Sequence, residues 1–466
     1  MKERYFSYIN KILAFYENEQ SADFENGIFK EGSSEEMVLR RLERAVKDEA
    51  CGDLLHSRYA IWAHDLINIL DGAKVAVRRH DNPDALRQID CAANAIKAYK
   101  DILTVFDGEF YNSSDIFRGY AMHLLNLGDE KSYVIEKDEI ISRLKKYSRV
   151  SRASLPRDMD CLIKNKVLRI FIENPAQDMQ NDSVAFEGWL LILKYWLSEE
   201  IEYVVLDFKA REDLLQKCGA PEACHYNRFL YRLYNMTRFF PTWFFVDENK
   251  SDVMFDFIHW VRSSKMMLNN SLKERPDQIG TQKLERQAEA WFVKHEGKTL
   301  LSKRWNIDES KLFNQLPTGV FIERIAASNA VFSRGASAID MWGIDKNGKT
   351  LHLIELKRGD NKGLGVIGET LFYTALMYDT CVAKEPLFSF GKYGTAPDTS
   401  DMAAIKNNGN KFTSLATHIL AEKYHPLFTD AAADLIRDGL KNMGIEFDRA
   451  TYDFEKKDFV DADNNI

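Results

Sequence analysis

The chain reads as an α/β protein in three parts: a helical N-terminal region over residues 1–135, a middle α/β unit over 136–270 with a short parallel sheet, and a C-terminal α/β/α domain over 278–455. Three observations lead there. At 466 residues the chain exceeds one ordinary hydrophobic core, so two or three domains are expected. The apolar periodicity is helical through the first 135 residues and alternates between strand-like and helical runs after Val167. Asn347-Gly348, between two apolar-rich runs, is the strongest short-range signal for a β-hairpin.

Composition narrows the class. Hydrophobic residues make up 45% and charged residues 29%, which suits a globular chain rather than a disordered one. The net charge of −8 excludes a wholly basic nucleic-acid coat, so any polyanion contact must be local. The six cysteines contain no Cys-x-x-Cys pair, which argues against a zinc ribbon and a disulfide framework. Met-Lys-Glu-Arg-Tyr at the start has no apolar core of a leader, and no apolar run approaches the ~20 residues of a membrane span. A cytoplasmic protein with no membrane partner is expected.

The N-terminal region shows helical spacing at Ile9, Leu13 and Tyr16, over Met37–Val46, at Ile61, Trp62, Leu66 and Ile69, and from Leu86 to Leu103. His56 and His64 would lie two turns apart, ~12 Å, too far to share a metal, so they read as surface or capping residues. From Arg143 to Arg169 the chain holds nine basic residues against Asp158 and Asp160. Lys145, Lys146, Arg149 and Arg152 form its densest part. A phosphate-backbone contact and a solvated linker both fit that stretch.

Strands are expected next at Val167–Ile172, Tyr203–Phe208 and Trp243–Val246, with helices at Val184–Leu197, Tyr226–Phe239 and Val253–Val261. This βαβ alternation predicts the parallel sheet. The strands end in Glu173, Asp207 and Asp247, at the edge where such sheets place sites. No Gly-rich phosphate loop follows any of them, and charged residues also simply end strands. Residues 269–277 read as a linker. A helix at Gln278–His295 turns Leu284, Ala288, Trp291 and Phe292 to one side and carries Glu285 and Glu289 one turn apart. Val320–Ala326 reads as the first core strand, Ile367–Val382 as a helix, and the tail as two helices and a last strand at Ile445–Tyr452.

The hairpin carries the chemistry. With Asn347 and Gly348 alone in the loop, Lys346 faces Lys349 and Asp340 faces Glu355. Lys357 shares the face of Glu355, and His352 lies opposite Gly343 on the other face. Cross-strand Cβ atoms are roughly 4.5–5.5 Å apart, so two facing carboxylates repel unless a cation sits between them. Mg²⁺, or Mn²⁺ in its place, takes one or two carboxylates and keeps its other positions for water and phosphate. A lysine two residues beyond the second carboxylate can hold a water there. This pattern is that of a phosphodiester-hydrolysing site.

Asp340 with Glu355-Leu356-Lys357 resembles the PD-(D/E)xK, or restriction-endonuclease-like, nuclease superfamily. Glu369-Thr370-Leu371-Phe372-Tyr373 resembles the Gln-x-x-x-Tyr signature of its Mrr-like branch, with Glu369 in place of Gln. Ile339 stands where the superfamily often has Pro. The likeness covers about residues 278–455, and this half also resembles Shedu-type antiphage nucleases. It implies a C-terminal α/β/α nuclease domain and a Mg²⁺-dependent DNA endonuclease, DNA before RNA. Asp340, Glu355, the Leu356 carbonyl and Glu285 would hold the metal. Asp340, Glu355 and Lys357 would be catalytic, with Glu369 and Tyr373 orienting Lys357 or touching phosphate. Arg358 and Lys362 in the following Gly-rich loop would guide the strand. The resemblance leaves residues 1–270 open to a sensor, partner-binding or oligomerising role. The alternative is a catalytically silent nucleic-acid-binding or scaffold protein with a nuclease-like fold.

Overall fold

The computed structural model describes residues 134–460 except 157–158, 165, 179–184, 269–280, 295, 333–336, 360–362, 392–402 and 407–411, together with the paired residues Phe24–Glu25 and Ile28–Phe29. The helices expected over residues 1–135 lie outside the described residues. Every element named below belongs to one compact unit, which takes in Val134–Phe240 and Val246 onward.

The basic stretch is built into a sheet rather than serving as a linker. β1 (Val134–Glu136) leads into α1 (Lys137–Ser148), and β2 (Met159–Lys164) turns through two residues into β3 (Val167–Ile172). Met159, Cys161 and Ile163 point inward while Asp160 and Lys164 point out, a period-2 pattern. Lys166 sits at φ 65, which lets the short turn close. α2 (Phe186–Trp196) then leads to β4 (Tyr203–Phe208). β1 pairs antiparallel with β2, β2 antiparallel with β3, and β3 and β4 run parallel. The expected parallel sheet is therefore mixed, because a hairpin supplies its first strands. Pro221 opens α3 (Pro221–Phe239), where its missing N–H costs nothing, and α4 (Glu248–Ser263) follows.

The larger sheet follows. α5 (Thr281–Lys294) and α6 (Gly297–Trp305) precede β5 (Ile307–Pro317), the hairpin strands β6 (Ala338–Asp345) and β7 (Thr350–Lys357), and α7 (Gly365–Cys381). β8 (Ser414–Ala421), α8 (Asp430–Lys441), β9 (Ile445–Asp453) and β10 (Asp458–Val460) complete it. The six strands lie in the order β10-β9-β8-β7-β6-β5, so β5 is an edge. β6 is antiparallel to both β5 and β7, whereas β7, β8 and β9 run parallel.

Two expectations are corrected here. Val320–Ile322 does not open this sheet; it joins Met266–Leu268 and Ser389–Phe390 in a separate three-stranded sheet. The first helix expected in the tail is instead β8, whose residues Leu415 to Ala421 are all buried. A strand covered on both faces loses its alternation and imitates a buried helix in sequence.

Helices cover both faces of the sheet. α5 and α6 pack Ala288, Phe292, Leu301 and Trp305 on Met341, Ile354 and Leu356. α7 lies against the other face, where Glu355 and Lys357 point. It also rests on α2 and α3. A Cβ on Gly368 would stand 3.0 Å from Glu187 Oε2 and 3.3 Å from Arg232 Nη2, a fully buried ion pair. Gly188 lets α2 approach just as closely: a Cβ there would meet the Leu364 carbonyl oxygen at 2.6 Å. Gly188→Ala should therefore cost roughly 1–3 kcal/mol, the range for overpacking a rigid contact. A urea-unfolding midpoint unchanged from wild type would contradict this seating of α2 beneath α7.

Candidate active site

The site is assembled at one end of the β6–β7 hairpin. Met341 pairs with Ile354 and Gly343 with His352, so Asp340 falls opposite Glu355, the register expected from Asn347-Gly348. The turn differs in detail. Gly348 N–H donates to the Asp345 carbonyl at 3.0 Å, and Gly348, at φ 72, takes the left-handed position. The Asp345 carboxylate accepts the N–H groups of Lys349 at 2.7 Å and Thr350 at 2.9 Å. A longer loop tied by Asp345 thus replaces a two-residue loop without moving the register beyond it.

Side chains from three elements meet here. Lys357 Nζ lies 2.8 Å from Glu355 Oε1 and 2.9 Å from Glu369 Oε2 on α7. Asp340 Oδ2 accepts the Leu356 N–H at 2.9 Å, which ties the two strands at the site. Tyr373, one turn after Glu369, shares a 3.1 Å hydrogen bond with the Ser337 hydroxyl. Ser337 in turn accepts from Thr318 Oγ1 at 2.9 Å. Glu285 accepts the Arg358 N–H at 3.3 Å at the end of β7. The Arg358 guanidinium lies 4.5 Å above the Phe454 ring. Ser337 carries no sequence signal beyond being one hydroxyl before a strand.

The electrostatics follow from burial and like charge. Glu355 and Glu369 are buried, and Asp340 keeps partial exposure. Burial, then the Asp340 charge, pushes the Glu355 carboxyl well above the carboxylate range. Burial raises Asp340 to about 6, against the opposing pull of Lys357 and the Leu356 N–H. For Lys357, burial would lower the ammonium pKa, but Glu355, Glu369 and Asp340 together outweigh it and hold it well above its usual value. Tyr373 is raised by burial and by Glu355 and Glu369, so it stays a neutral phenol.

Can these groups hold a divalent cation? Among the described residues no three His, Cys, Asp or Glu side chains close up into a ready-made cage. The donor set nevertheless suits Mg²⁺ or Mn²⁺: the two facing carboxylates and the Leu356 carbonyl are hard oxygens, and such ions keep several waters. Glu355 Oε2 is buried with no hydrogen-bond partner among the described residues. A buried orphan acceptor is costly and marks a place where a cation or water belongs. Asp340, Glu355 and the Leu356 carbonyl offer the donor types the ion takes, while Glu285, on the Arg358 N–H, does not close a three-carboxylate cage with them.

Other expected residues stand apart. Lys145, Lys146, Arg149 and Arg152 are exposed on α1 and the segment after it. Arg143 pairs with Glu139 and Glu200, and Arg169 with Asp247, which lowers the free charge of the stretch. Lys362 lies outside the described residues. Glu289, the other α5 carboxylate, is buried against Gln315 rather than at the metal position. Glu173, Asp207 and Asp247 do not form a comparable centre: Glu173 pairs with Lys209, and Asp207 accepts the Phe208 N–H. No family model matches the chain, and no curated protein does.

His352 faces away from the site, as the register requires. Its Nδ1 lies 3.0 Å from His418 Nε2, and His418 stacks on Trp305 at 4.1 Å. Burial pushes His352 down to about 4 and His418 well below its usual value, so both are neutral in the folded protein. The unfolded chain protonates near 6.5 and the folded chain resists until about 4, so this stability is present above that window and lost as pH falls through it. His352→Leu combined with His418→Leu should flatten the loss of stability between pH 6.5 and 4, of which His352 alone accounts for roughly 3 kcal/mol, in urea titrations. An acid-side slope identical to wild type would exclude the pair as its source.

Proposed function

We propose that this protein is a Mg²⁺- or Mn²⁺-dependent phosphodiesterase of the PD-(D/E)xK type, acting on nucleic acid and foremost as a DNA endonuclease. The observation that carries the reading is the shared face: Asp340 opposite Glu355, with Lys357 beside them and closed by Glu369 from α7. Asp340, Glu355 and the Leu356 carbonyl would hold the ion, with Glu285 near the end of the strand. When bound, such an ion would supply Lewis acidity for a water and for the phosphate charge. Lys357 remains an ammonium under its carboxylates, so it positions the attacking water and steadies the phosphate rather than taking a proton. Glu369 fixes Lys357, and Tyr373 offers a phenolic donor. Arg358 lies next in the chain and meets the strand backbone.

A catalytically silent binder keeps one specific support: Lys357 already neutralises Glu355 within the protein. A sensor or partner-binding role for residues 1–270, with oligomerisation and bacterial antiphage defence as the setting, belongs to the same proposal. A cytoplasmic location goes with it. Among the described residues no helix is long and apolar enough to cross a membrane.

Plasmid, linear DNA and RNA incubated with the purified protein, with and without Mg²⁺ or Mn²⁺, separate these readings. Cleavage should require the metal and vanish in chelator. Lys357→Ala should abolish it, a loss of at least about 100-fold, with the fold intact. Cleavage by Lys357→Ala at the wild-type rate, or in chelator, rejects the mechanism. The α1 stretch is tested separately. Changing Lys145, Lys146, Arg149 and Arg152 together to Ala should weaken DNA binding and flatten its salt dependence, by roughly 0.9 in log–log slope for each phosphate no longer neutralised. An unchanged slope would leave the stretch a solvated surface.

A further inference from the structure

Gln315 breaks the rules of its strand beside Asp340. On β5, Phe313 faces the site side, with its ring 4.6 Å from that of Trp342. Leu312 faces the other side, in the core shared by Met341 and α5. Alternation then sends Gln315 to the site side with Phe313. The pairs Ile339 with Leu316 and Met341 with Asn314 place it directly across from Asp340. Yet Gln315 has φ 56, and its amide donates to Glu289 Oε2 on α5 at 2.7 Å. A glutamine in left-handed backbone within a strand is strained, since its Cβ crowds the following carbonyl. Strain of this kind persists only where the surroundings hold it, and it gathers at working sites.

What the strain achieves is visible in what it removes. An ordinary β conformation at residue 315 would stand a side chain next to Asp340, at cross-strand distance. The other flank of the pair is closed, since Glu355 is buried and carries Lys357, which Glu369 covers from α7. Asp340 is the partly exposed member, and its neighbour β5 is the edge of the sheet.

We propose that the left-handed backbone at Gln315 keeps the position beside Asp340 free of a side chain, and that this cleared position is where the scissile phosphodiester of the substrate strand seats against the Asp340–Glu355 pair. The seat rests on the nuclease reading; the clearance does not. The clearing is done by the backbone at residue 315, and the bond to Glu289 only takes up the Gln315 amide.

Three variants separate clearance from the anchoring bond. Gln315→Gly and Gln315→Asn tolerate positive φ but cannot make the bond to Glu289; Gln315→Val favours β backbone and returns a side chain to the site face. The folded proteins are treated without metal with a water-soluble carbodiimide and an amine, and coupling at Asp340 is read by mass spectrometry. The same proteins are assayed for Mg²⁺-dependent cleavage of linear duplex DNA in single turnovers. Gln315→Gly and Gln315→Asn should label and cleave like wild type. Gln315→Val should lose Asp340 labelling and about 100-fold in cleavage. Wild-type labelling in Gln315→Val overturns the proposal. So does the absence of labelling in the folded Gly or Asn variant, which decides the matter even if the Val variant does not fold. Labelling that follows the expected pattern in a protein that cleaves no nucleic acid rejects the nuclease reading and the seat, while the clearance stands.

Discussion

The rest of the site depends on an imbalance of charge at the end of one hairpin. Asp340, Glu355 and Glu369 bring three carboxylates toward the Lys357 ammonium, and Glu285 acts on Asp340 from the end of the strand. Lys357 satisfies one oxygen of Glu355 and leaves the other buried and unpartnered. Carboxylates so placed must either take up protons or share a cation. The raised carboxyls of Asp340 and Glu355 express the first outcome, and a divalent ion would produce the second. The same carboxylates hold the Lys357 ammonium well above its usual pKa in the metal-free protein.

The fold serves this end of the hairpin from both sides. Beneath it, α5 and α6 fill the apolar face through Phe292, Leu301 and Trp305, so that β6 and β7 cannot slip by one residue without burying the charged face. Above it, α7 delivers Glu369 and Tyr373, and α7 is itself seated on α2 and α3 through close glycine contacts and the buried Glu187–Arg232 pair. The middle unit therefore does more than precede the candidate nuclease domain. It forms the support on which the helix that grips Lys357 rests, a route by which changes in that unit would reach the site.

Legibility in the sequence followed physical signal strength. The face and partner of Asp340, Glu355 and Lys357 could be read because a strand has period 2 and Asn347-Gly348 marks the turn, even though Asp345 shapes that turn in a way no dipeptide rule reveals. β8 could not be read, since Leu415 to Ala421 are buried on both faces and keep no alternation. Val320–Ile322 was recognisable as a strand, but nothing local tells which sheet an apolar run will join. In the basic stretch, charge obscured a clean inward pattern at Met159, Cys161 and Ile163. The left-handed backbone at Gln315 has no sequence signature, because Gln is not a residue that favours positive φ.

The central claim is that Asp340 and Glu355 jointly hold a divalent ion beside Lys357. A crystal structure with Mn²⁺ and a short DNA duplex, read through the anomalous signal of the metal, tests it most directly. A peak is expected between the two carboxylates, about 2.0–2.2 Å from an oxygen of each, with Glu355 Oε2 no longer unpartnered. A peak elsewhere, or none at saturating Mn²⁺ with the Lys357–Glu355 pair unchanged, would contradict the claim.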